Sequence, residues 1–165
     1  MIIDQELIIH AFEQYADDAL RAAYVCGCRE NAEDIVQTVF LSLMANCPNI
    51  ENERHLKAWI LRVTMNLCHN YHKSWHNKKR TEIEDLEAQM PSAPSPEEQT
   101  ELQQTIAKLP EKYASVLFLH YYEGYSTREI GLILGKNENT VCSLLRRGRE
   151  KLKLELQEGG FAYEY

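Results

Sequence analysis

Side chains that can hydrogen-bond to nucleic acid recur at helical spacing in the first half of this sequence. They follow one another at i, i+4, i+7 and i+11, with a further amide beside them: Arg62, Asn66, His69, Lys73 and Asn70. These intervals place all five on one face of a helix. Amides and guanidiniums bond to base edges, and lysines bond to phosphates. The stripe indicates either a nucleic-acid interface or an ordinary solvated helix face.

A second basic cluster lies near the C-terminus, in a segment with signals for two helices and a tight turn. Ser126 and Glu129 form the S-x-x-E pattern of a capping box, so the first helix should begin at Thr127. Gly135 suits a left-handed C-terminal cap, and Asn137 can cap the second helix. Five basic residues occupy the outer faces of that helix: Arg146, Arg147, Arg149, Lys151 and Lys153.

The second of these helices also carries a long apolar stripe. Its members recur at i, i+4, i+7, i+11 and i+15: Val141, Leu145, Gly148, Leu152 and Leu156. A short helix, a glycine turn and a longer basic helix describe a helix-turn-helix, whose second helix enters the DNA major groove. Thr140, Ser143, Arg146 and Arg147 then project toward the bases. The alternative is a helical hairpin with a solvated basic face.

Cysteine and histidine residues offer a different chemistry. Four of them lie within about two helical turns: Cys68, His69, His72 and His76. Thiolate and imidazole ligands at such spacing can hold zinc, and Cys26 and Cys28 could add to the set. The helix lacks the H-E-x-x-H arrangement of metalloproteases. A zinc-binding sensor is therefore an alternative hypothesis. Our first expectation is that the protein binds neither a metal nor any other cofactor.

Three helices should position the residues of the first half. The first spans roughly Asp4 to Cys26 and buries a stripe: Ile8, Phe12, Tyr15, Ala19 and Ala23. Asn31 should cap the second, which buries five apolar residues: Ile35, Val36, Val39, Phe40 and Leu43. A loop over 46–54 precedes a third helix from His55 to Arg80, with its own buried stripe: Leu56, Ile60, Val63 and Leu67.

The second half begins with an acidic stretch. Residues 81–100 carry six acids and no base, and 81–96 reads as a flexible tether. A further helix should start after Ser95, striped by Leu102, Ile106 and Leu109. The next helix, Glu111–Tyr122, should bury Val116, Leu117 and Tyr121. An all-α protein follows, with domains at 1–80 and 97–165 joined by the tether 81–96.

Composition narrows the class of protein further. The formal net charge of −7 looks unfavourable for DNA binding, but the acidic middle segment accounts for most of it. No long apolar run and no signal-peptide pattern occur, so we expect a soluble, cytoplasmic protein without membrane insertion. Five cysteines in such a chain argue against a disulfide framework.

Four segments in order resemble bacterial sigma factors of the extracytoplasmic-function type: 32–43, 55–71, 106–135 and 140–153. The resemblance implies a non-enzymatic subunit that directs core RNA polymerase to promoter DNA and acts on no small-molecule substrate. It places the polymerase contact at Asp34, Gln37, Thr38 and Leu41. The resemblance also suggests an anti-sigma partner.

The same resemblance divides promoter reading between the two domains. The loop 46–54 and the stripe from Arg62 to Lys73 match the part that reads and opens the minus-ten element. The helix-turn-helix, with Thr140, Ser143, Arg146, Arg147 and Arg149, matches the reader of the minus-thirty-five element. A free-standing regulator that uses this motif without polymerase is a second hypothesis.

Three positions depart from the family pattern. Cys142 and Leu144 stand where the family usually has Lys or Arg, so the start of the recognition helix is less basic. Leu144 could offer an apolar contact to a thymine methyl. Gly148 stands where the family usually has Ala and should cost the helix about 0.5–1 kcal/mol.

Overall fold

The computed structural model describes the backbone of residues 2–78 and 101–158, and the side chains of the same residues except 74–78. In these two ranges all regular structure is helical, which confirms the all-α prediction. The helices are α1 (Gln5–Val25), α2 (Ala32–Asn46), α3 (Glu53–Lys78), α4 (Glu101–Ala107), α5 (Glu111–Leu117), α6 (Thr127–Leu134) and α7 (Glu138–Glu158). A π-helical turn, Phe118–Tyr122, continues α5.

The chain divides into two compact units. The first is built around α2, α3 and most of α1, and the second contains α4 to α7. The tether at 81–96, the cap at Ser95 and the side chain of His76 lie outside the described residues. Among the helices that are described, none is long and apolar enough to cross a membrane.

Helix α1 packs through alanines more than through the large residues of the predicted stripe. Four of its alanines are completely buried: Ala11, Ala19, Ala22 and Ala23. Phe12, which we expected in the core, is 50% exposed and makes an edge contact with Phe40 at 5.1 Å between ring centroids. Small residues let the neighbouring backbone approach closely, and the bulky ring is left at the rim. The expectation for Phe12 was wrong.

Helix α2 buries the five apolar residues predicted for it. Its cap differs from the prediction, because the Asn31 side chain makes no capping hydrogen bond to the helix. That side chain instead hydrogen-bonds to Tyr71 of α3. A tertiary partner has therefore replaced the local capping interaction that the sequence suggested.

The buried face of α3 departs from the predicted stripe after its first two members. Val63 and Leu67 are half-buried, whereas Thr64 and Cys68 are completely buried. The Thr64 hydroxyl donates to the Ile60 carbonyl at 2.7 Å, which satisfies the buried polar group within the helix. Hydropathy alone ranks threonine below valine and leucine, so the pattern placed the core one residue too early on this helix.

The segment 111–122 is not one regular α-helix, as we had expected. The Glu123 N–H donates to the Phe118 carbonyl at 3.2 Å, the i to i+5 bond of a π-helical turn. The wider turn buries Phe118 and Leu119 completely and turns Tyr121 outward, to 51% exposure. The prediction of a buried Tyr121 was therefore wrong, while Val116 and Leu117 are buried as expected.

The core of the second unit forms where α7 packs against α4, α5 and α6. Its largest completely buried side chains come from these four helices and the π-helical turn: Ile106, Leu117, Phe118, Leu119, Ile130 and Leu145. The unit thus holds α7 along one side, and the opposite side of that helix stays exposed.

Candidate nucleic-acid interfaces

The entry to α6 is fixed by a complete capping box. The Ser126 hydroxyl accepts the Glu129 N–H at 3.2 Å, and the Glu129 carboxylate accepts the Ser126 N–H at 3.1 Å. Two otherwise unpaired donors of the first turn are satisfied in this way. The prediction that α6 begins at Thr127 is confirmed.

The turn between α6 and α7 depends on two glycines. Gly135 adopts the left-handed conformation, with φ of 67°, as predicted. Gly131 was not singled out from the sequence, yet a Cβ there would lie 2.6 Å from the Lys136 carbonyl oxygen. The Lys136 N–H also donates to the Gly131 carbonyl at 2.9 Å. The chain therefore doubles back over Gly131 so closely that no side chain fits.

The start of α7 is held by local bonds as well. The Asn137 side chain accepts the Thr140 N–H at 2.7 Å, which confirms Asn137 as the N-cap. The Thr127 hydroxyl donates to the Glu138 carboxylate at 2.8 Å and links the first residues of α6 and α7. Sequence reasoning missed this link, because two side chains eleven residues apart meet only after the turn has formed.

The buried side of α7 is wider than the predicted stripe. Val141, Leu145 and Gly148 are buried as expected, and Leu144 is only 9% exposed. Leu144 follows Val141 by three residues and precedes Gly148 by four, so all share one face. Leu144 belongs to the core, and the predicted contact with a thymine methyl is wrong.

Gly148 lies where α7 approaches α5. A Cβ at this position would lie 3.2 Å from Cδ1 of Leu117 and 3.4 Å from Cβ of Tyr113. The missing methyl group allows the close approach of the two helices. Its cost in helix propensity, about 0.5–1 kcal/mol, is therefore set against a tight packing contact.

The exposed side of α7 carries most of the candidate DNA-binding residues. Thr140, Arg146, Arg147 and Arg149 are exposed, and Ser143 is half-buried. Their positions agree with the expected orientation of the helix. Position 142, where the family pattern has Lys or Arg, holds the exposed free thiol of Cys142.

Two cations of α7 lie beside aromatic rings of the same unit. The Arg149 guanidinium lies 5.9 Å from the Tyr121 ring centroid, and the Lys151 ammonium lies 5.5 Å from that of Tyr113. Both distances are within reach of a cation–π interaction. Arg149 is thus placed toward α5 and its π-helical turn, which distinguishes it from Arg146 and Arg147.

The polar stripe of α3 forms a continuous exposed face. Its five members are all exposed: Arg62, Asn66, His69, Asn70 and Lys73. Tyr71 beside them is half-buried, and desolvation together with the nearby Glu30 raises its pKa. The stripe presents two amides, a guanidinium, an ammonium and an imidazole on one side of the helix.

The loop that precedes α3 is an ordered structure of six residues, 47–52, shorter than the predicted 46–54. Cys47 adopts a left-handed conformation with φ of 40°, and Ile50 is 1% exposed. The Glu51 N–H donates to Nδ1 of His55 at 3.0 Å, and the Asn52 side chain caps the helix by accepting the His55 N–H at 2.9 Å. These bonds define the backbone path at the start of α3.

The outer face of α2 joins polar and apolar side chains. Asp34, Gln37 and Thr38 are exposed, and Leu41 is 62% exposed. Met44, one turn further on, is 55% exposed and was not included in the predicted set. The apolar members give this face the character of a protein-binding surface.

Among the described residues, the proposed zinc ligands do not form a metal site, although two of them, Cys28 and His72, lie side by side. Cys68 is completely buried while its neighbour His69 is exposed. The Cys28 thiol instead lies 3.6 Å from Nε2 of His72 and donates to the Cys68 carbonyl at 3.6 Å. Within the described part of the chain, no group of three or more potential ligands is arranged to hold a metal ion.

Comparison with known proteins agrees with this architecture. Residues 11–78 match the family described as Sigma-70 region 2, and residues 99–152 match Sigma-70, region 4. The chain is 32% identical over 132 residues to the RNA polymerase sigma factor SigZ of Bacillus subtilis, a match that spans 77% of this chain and 73% of that protein. It is 29% identical to the ECF RNA polymerase sigma factor SigW of the same organism, over 94% and 91% of the two chains.

Two solved structures share the fold. The sigma factor RpoE from Bartonella quintana, solved with the anti-sigma factor NepR, has a TM-score of 0.66 at 22% identity, over 88% of this chain and 96% of that one. CnrH, solved with the cytosolic domain of CnrY, has a TM-score of 0.66 at 20% identity, over 94% and 91%.

The helix-turn-helix and the two matched regions define a sigma-type transcription initiation factor. Within that class, the chain belongs to the extracytoplasmic-function family of RNA polymerase sigma factors. It therefore acts in promoter-specific transcription initiation by RNA polymerase.

Proposed function

We propose that the two units divide promoter reading between them. Domain 97–165 reads the minus-thirty-five element with α7, through Thr140, Ser143, Arg146, Arg147 and Arg149. Domain 1–80 reads and opens the minus-ten element with the loop before α3 and the α3 stripe. The observation that carries this proposal is the rigidly capped α7, which is buried along one side and basic along the other.

The chemistry of the α3 stripe supports its assignment to the minus-ten element. Asn66 and Asn70 can each pair with the edge of an extruded base, and Lys73 and Arg62 can hold the backbone. All are exposed on one face. Opening a base pair costs a few kcal/mol, and hydrogen bonds between this face and the extruded base can offset that cost.

For the polymerase contact, we propose the outer face of α2. Asp34 and Gln37 can hydrogen-bond to a partner, and Leu41 gives the contact an apolar centre. An anti-sigma factor is a second protein partner in this proposal, since the structural neighbour RpoE was solved with the anti-sigma factor NepR. Because bacterial RNA polymerase works in the cytoplasm, this protein acts there, and its role requires binding rather than catalysis.

Reconstitution with core RNA polymerase tests this assignment. A promoter is first selected from a library with randomised minus-thirty-five and minus-ten elements, and run-off transcripts are counted. The isolated protein should bind this promoter weakly, because its net charge is −7 and its basic residues are divided between two units. Tight, specific binding without polymerase would contradict the proposal and favour a free-standing regulator.

Paired variants then separate the surfaces. Replacement of Asp34 and Gln37 by Ala should reduce affinity for core polymerase at unchanged thermal stability. Replacement of Asn66 or Asn70 by Ala should reduce promoter opening more than closed-complex formation. Equal losses in both steps would place the amides outside the opening reaction.

A further inference from the structure

The first residue of α3 is tied to α1 by two hydrogen bonds on a single carboxylate. The Tyr15 hydroxyl donates to Oε2 of Glu53 at 2.5 Å, and Nε2 of His10 lies 2.8 Å from Oε1. The donors come from positions 38 and 43 residues earlier in the chain. The contact is therefore a tertiary link and not part of the local helix start.

This link lies at the junction between α3 and the loop 47–52. Upstream of Glu53, the Asn52 cap and the bond from Glu51 to His55 connect the loop to the first turn of α3. Those bonds fix the loop relative to that turn, but they leave the turn itself free to fray, as helix ends do. The contacts from α1 hold Glu53 and, with it, the first turn.

We propose that Tyr15 and His10 are positioning residues for minus-ten recognition, which act through Glu53 on the loop 47–52. This inference rests on the proposed role of the loop in promoter opening. Neither residue needs to touch DNA. Both raise the fraction of molecules whose loop already has the conformation that accepts the promoter, so binding energy is not spent on ordering it.

The geometry favours positioning over a general stabilising role. The Glu53 and His10 side chains are about half exposed, at 49% and 44%, so neither is part of the core. Exposed bonds of this kind add little to the stability of a whole domain. Their location, at the first residue after the loop, is what gives them a specific effect.

Removal of one hydroxyl is the sharpest test. Tyr15→Phe keeps the ring and removes the donor to Glu53. Holoenzyme with this variant should open a promoter labelled with 2-aminopurine in the minus-ten element about three- to tenfold more slowly than wild type. Affinity for core polymerase and closed-complex affinity should stay within about twofold, and the melting temperature of the free protein should change little.

Two further variants complete the series. Glu53→Ala removes the acceptor of both bonds and should slow opening at least as much as Tyr15→Phe. In the double variant, the Tyr15 substitution should have no further effect, because its partner is gone. Glu13→Gln changes another exposed side chain of α1 and serves as the matched control. We expect it to leave the rate of promoter opening unchanged.

The outcomes separate the positioning role of Tyr15 and His10 from the proposed function of the protein. If wild-type holoenzyme opens the promoter and Tyr15→Phe and Glu53→Ala open it equally fast, the positioning role is overturned and the proposed function stands. If the variants lose opening, core affinity and thermal stability in parallel, the link is structural only and the inference is likewise overturned. Wild-type holoenzyme that cannot open the promoter would overturn both.

Discussion

The two candidate DNA-reading helices are held in place by different kinds of contact. The start of α7 is fixed by contacts within residues 126–140: the capping box, the Gly131 close approach and the Asn137 cap. The start of α3 also has a local cap at Asn52, but its first residue, Glu53, is held in addition by residues of α1 some 40 positions away. The hydrogen bonds at the start of α7 thus come from its own turn, whereas those at the start of α3 come partly from a distant helix. Damage to α7 should remain local, whereas α3 should respond to changes in distant elements.

The largest expected effect tests the buried face of α3. Thr64→Asp places a carboxylate at a completely buried site, so it should destabilise the first unit by about 3–5 kcal/mol or prevent folding. Val63→Asp, one residue earlier at a half-buried site, should cost much less. Chemical denaturation of both variants measures the difference. A larger cost for Val63→Asp would instead favour the buried face that hydropathy suggested.

The next largest effect tests how locally α7 is fixed. Gly131→Ala should cost about 2–4 kcal/mol, because its Cβ would lie 2.6 Å from a backbone carbonyl oxygen. Gly135→Ala meets no atom within 4 Å and should cost only about 1 kcal/mol, from its left-handed backbone. Thermal unfolding followed by circular dichroism compares the pair. A larger loss for Gly135→Ala would show that backbone conformation, and not the close approach, governs the turn.

This pair also shows what could be read from the sequence. The caps at Ser126, Gly135 and Asn137 were predictable, because each signal lies within a few residues of the structure that it specifies. Gly131 was missed for the opposite reason: a glycine in a helix interior gives no sign of the carbonyl that will pack against it. Local rules identify which residues end a helix, but not which backbone atoms meet after the turn.

The same distinction explains the errors in the first unit. Asn31 was expected to cap α2, but its side chain hydrogen-bonds to Tyr71 of another helix. Thr64 was excluded from the core by its polarity, although a bond within its own helix makes burial acceptable. The five polar residues from Arg62 to Lys73 are nevertheless exposed as expected, because a shift of one residue in the buried face of a helix still leaves the opposite face in solvent.

Arg147→Ala probes DNA reading by α7 directly. Loss of a guanidinium that can make two hydrogen bonds to a guanine should cost about 1–3 kcal/mol on the preferred minus-thirty-five element. The variant should also discriminate less between that element and its single-base variants. Electrophoretic mobility shifts of holoenzyme on a panel of promoters measure both quantities. Arg149→Ala is a useful comparison, because its guanidinium lies beside Tyr121.

A smaller effect is expected when a basic side chain is placed at position 142. Cys142 is exposed on α7, and Cys142→Lys should add one phosphate contact. Binding should strengthen on many sequences alike, and the slope of log K against log salt should steepen by about one unit. Cys142→Ser is the matched control for loss of the thiol. No gain at any salt concentration would mean that position 142 does not face the phosphates.

The smallest effect concerns acid stability of the first unit. The hydrogen bond from Tyr15, with a smaller contribution from His10, holds the pKa of Glu53 below its ordinary value of 4.5. A lowered pKa in the folded state stabilises the fold above the unfolded pKa, and this contribution is lost as pH falls through the folded value. Wild type should therefore lose slightly more stability than Glu53→Gln on acidification from about pH 5 to pH 3. Parallel pH curves would show that the Glu53 bonds do not persist in solution.

The π-helical turn has a consequence for how the length of this chain can vary. A π turn holds one residue more than the α-helical turn that it replaces, and here it ends the helix that α5 begins. Deletion of one residue between Leu117 and Gly124 would let α5 continue as a regular helix into the same downstream loop. A shortening of that kind within α7 would instead rotate every later side chain by about 100°. Relatives with one residue fewer in this turn can therefore share the arrangement of α6 and α7. They would lack the outward-facing aromatic ring that Tyr121 provides here.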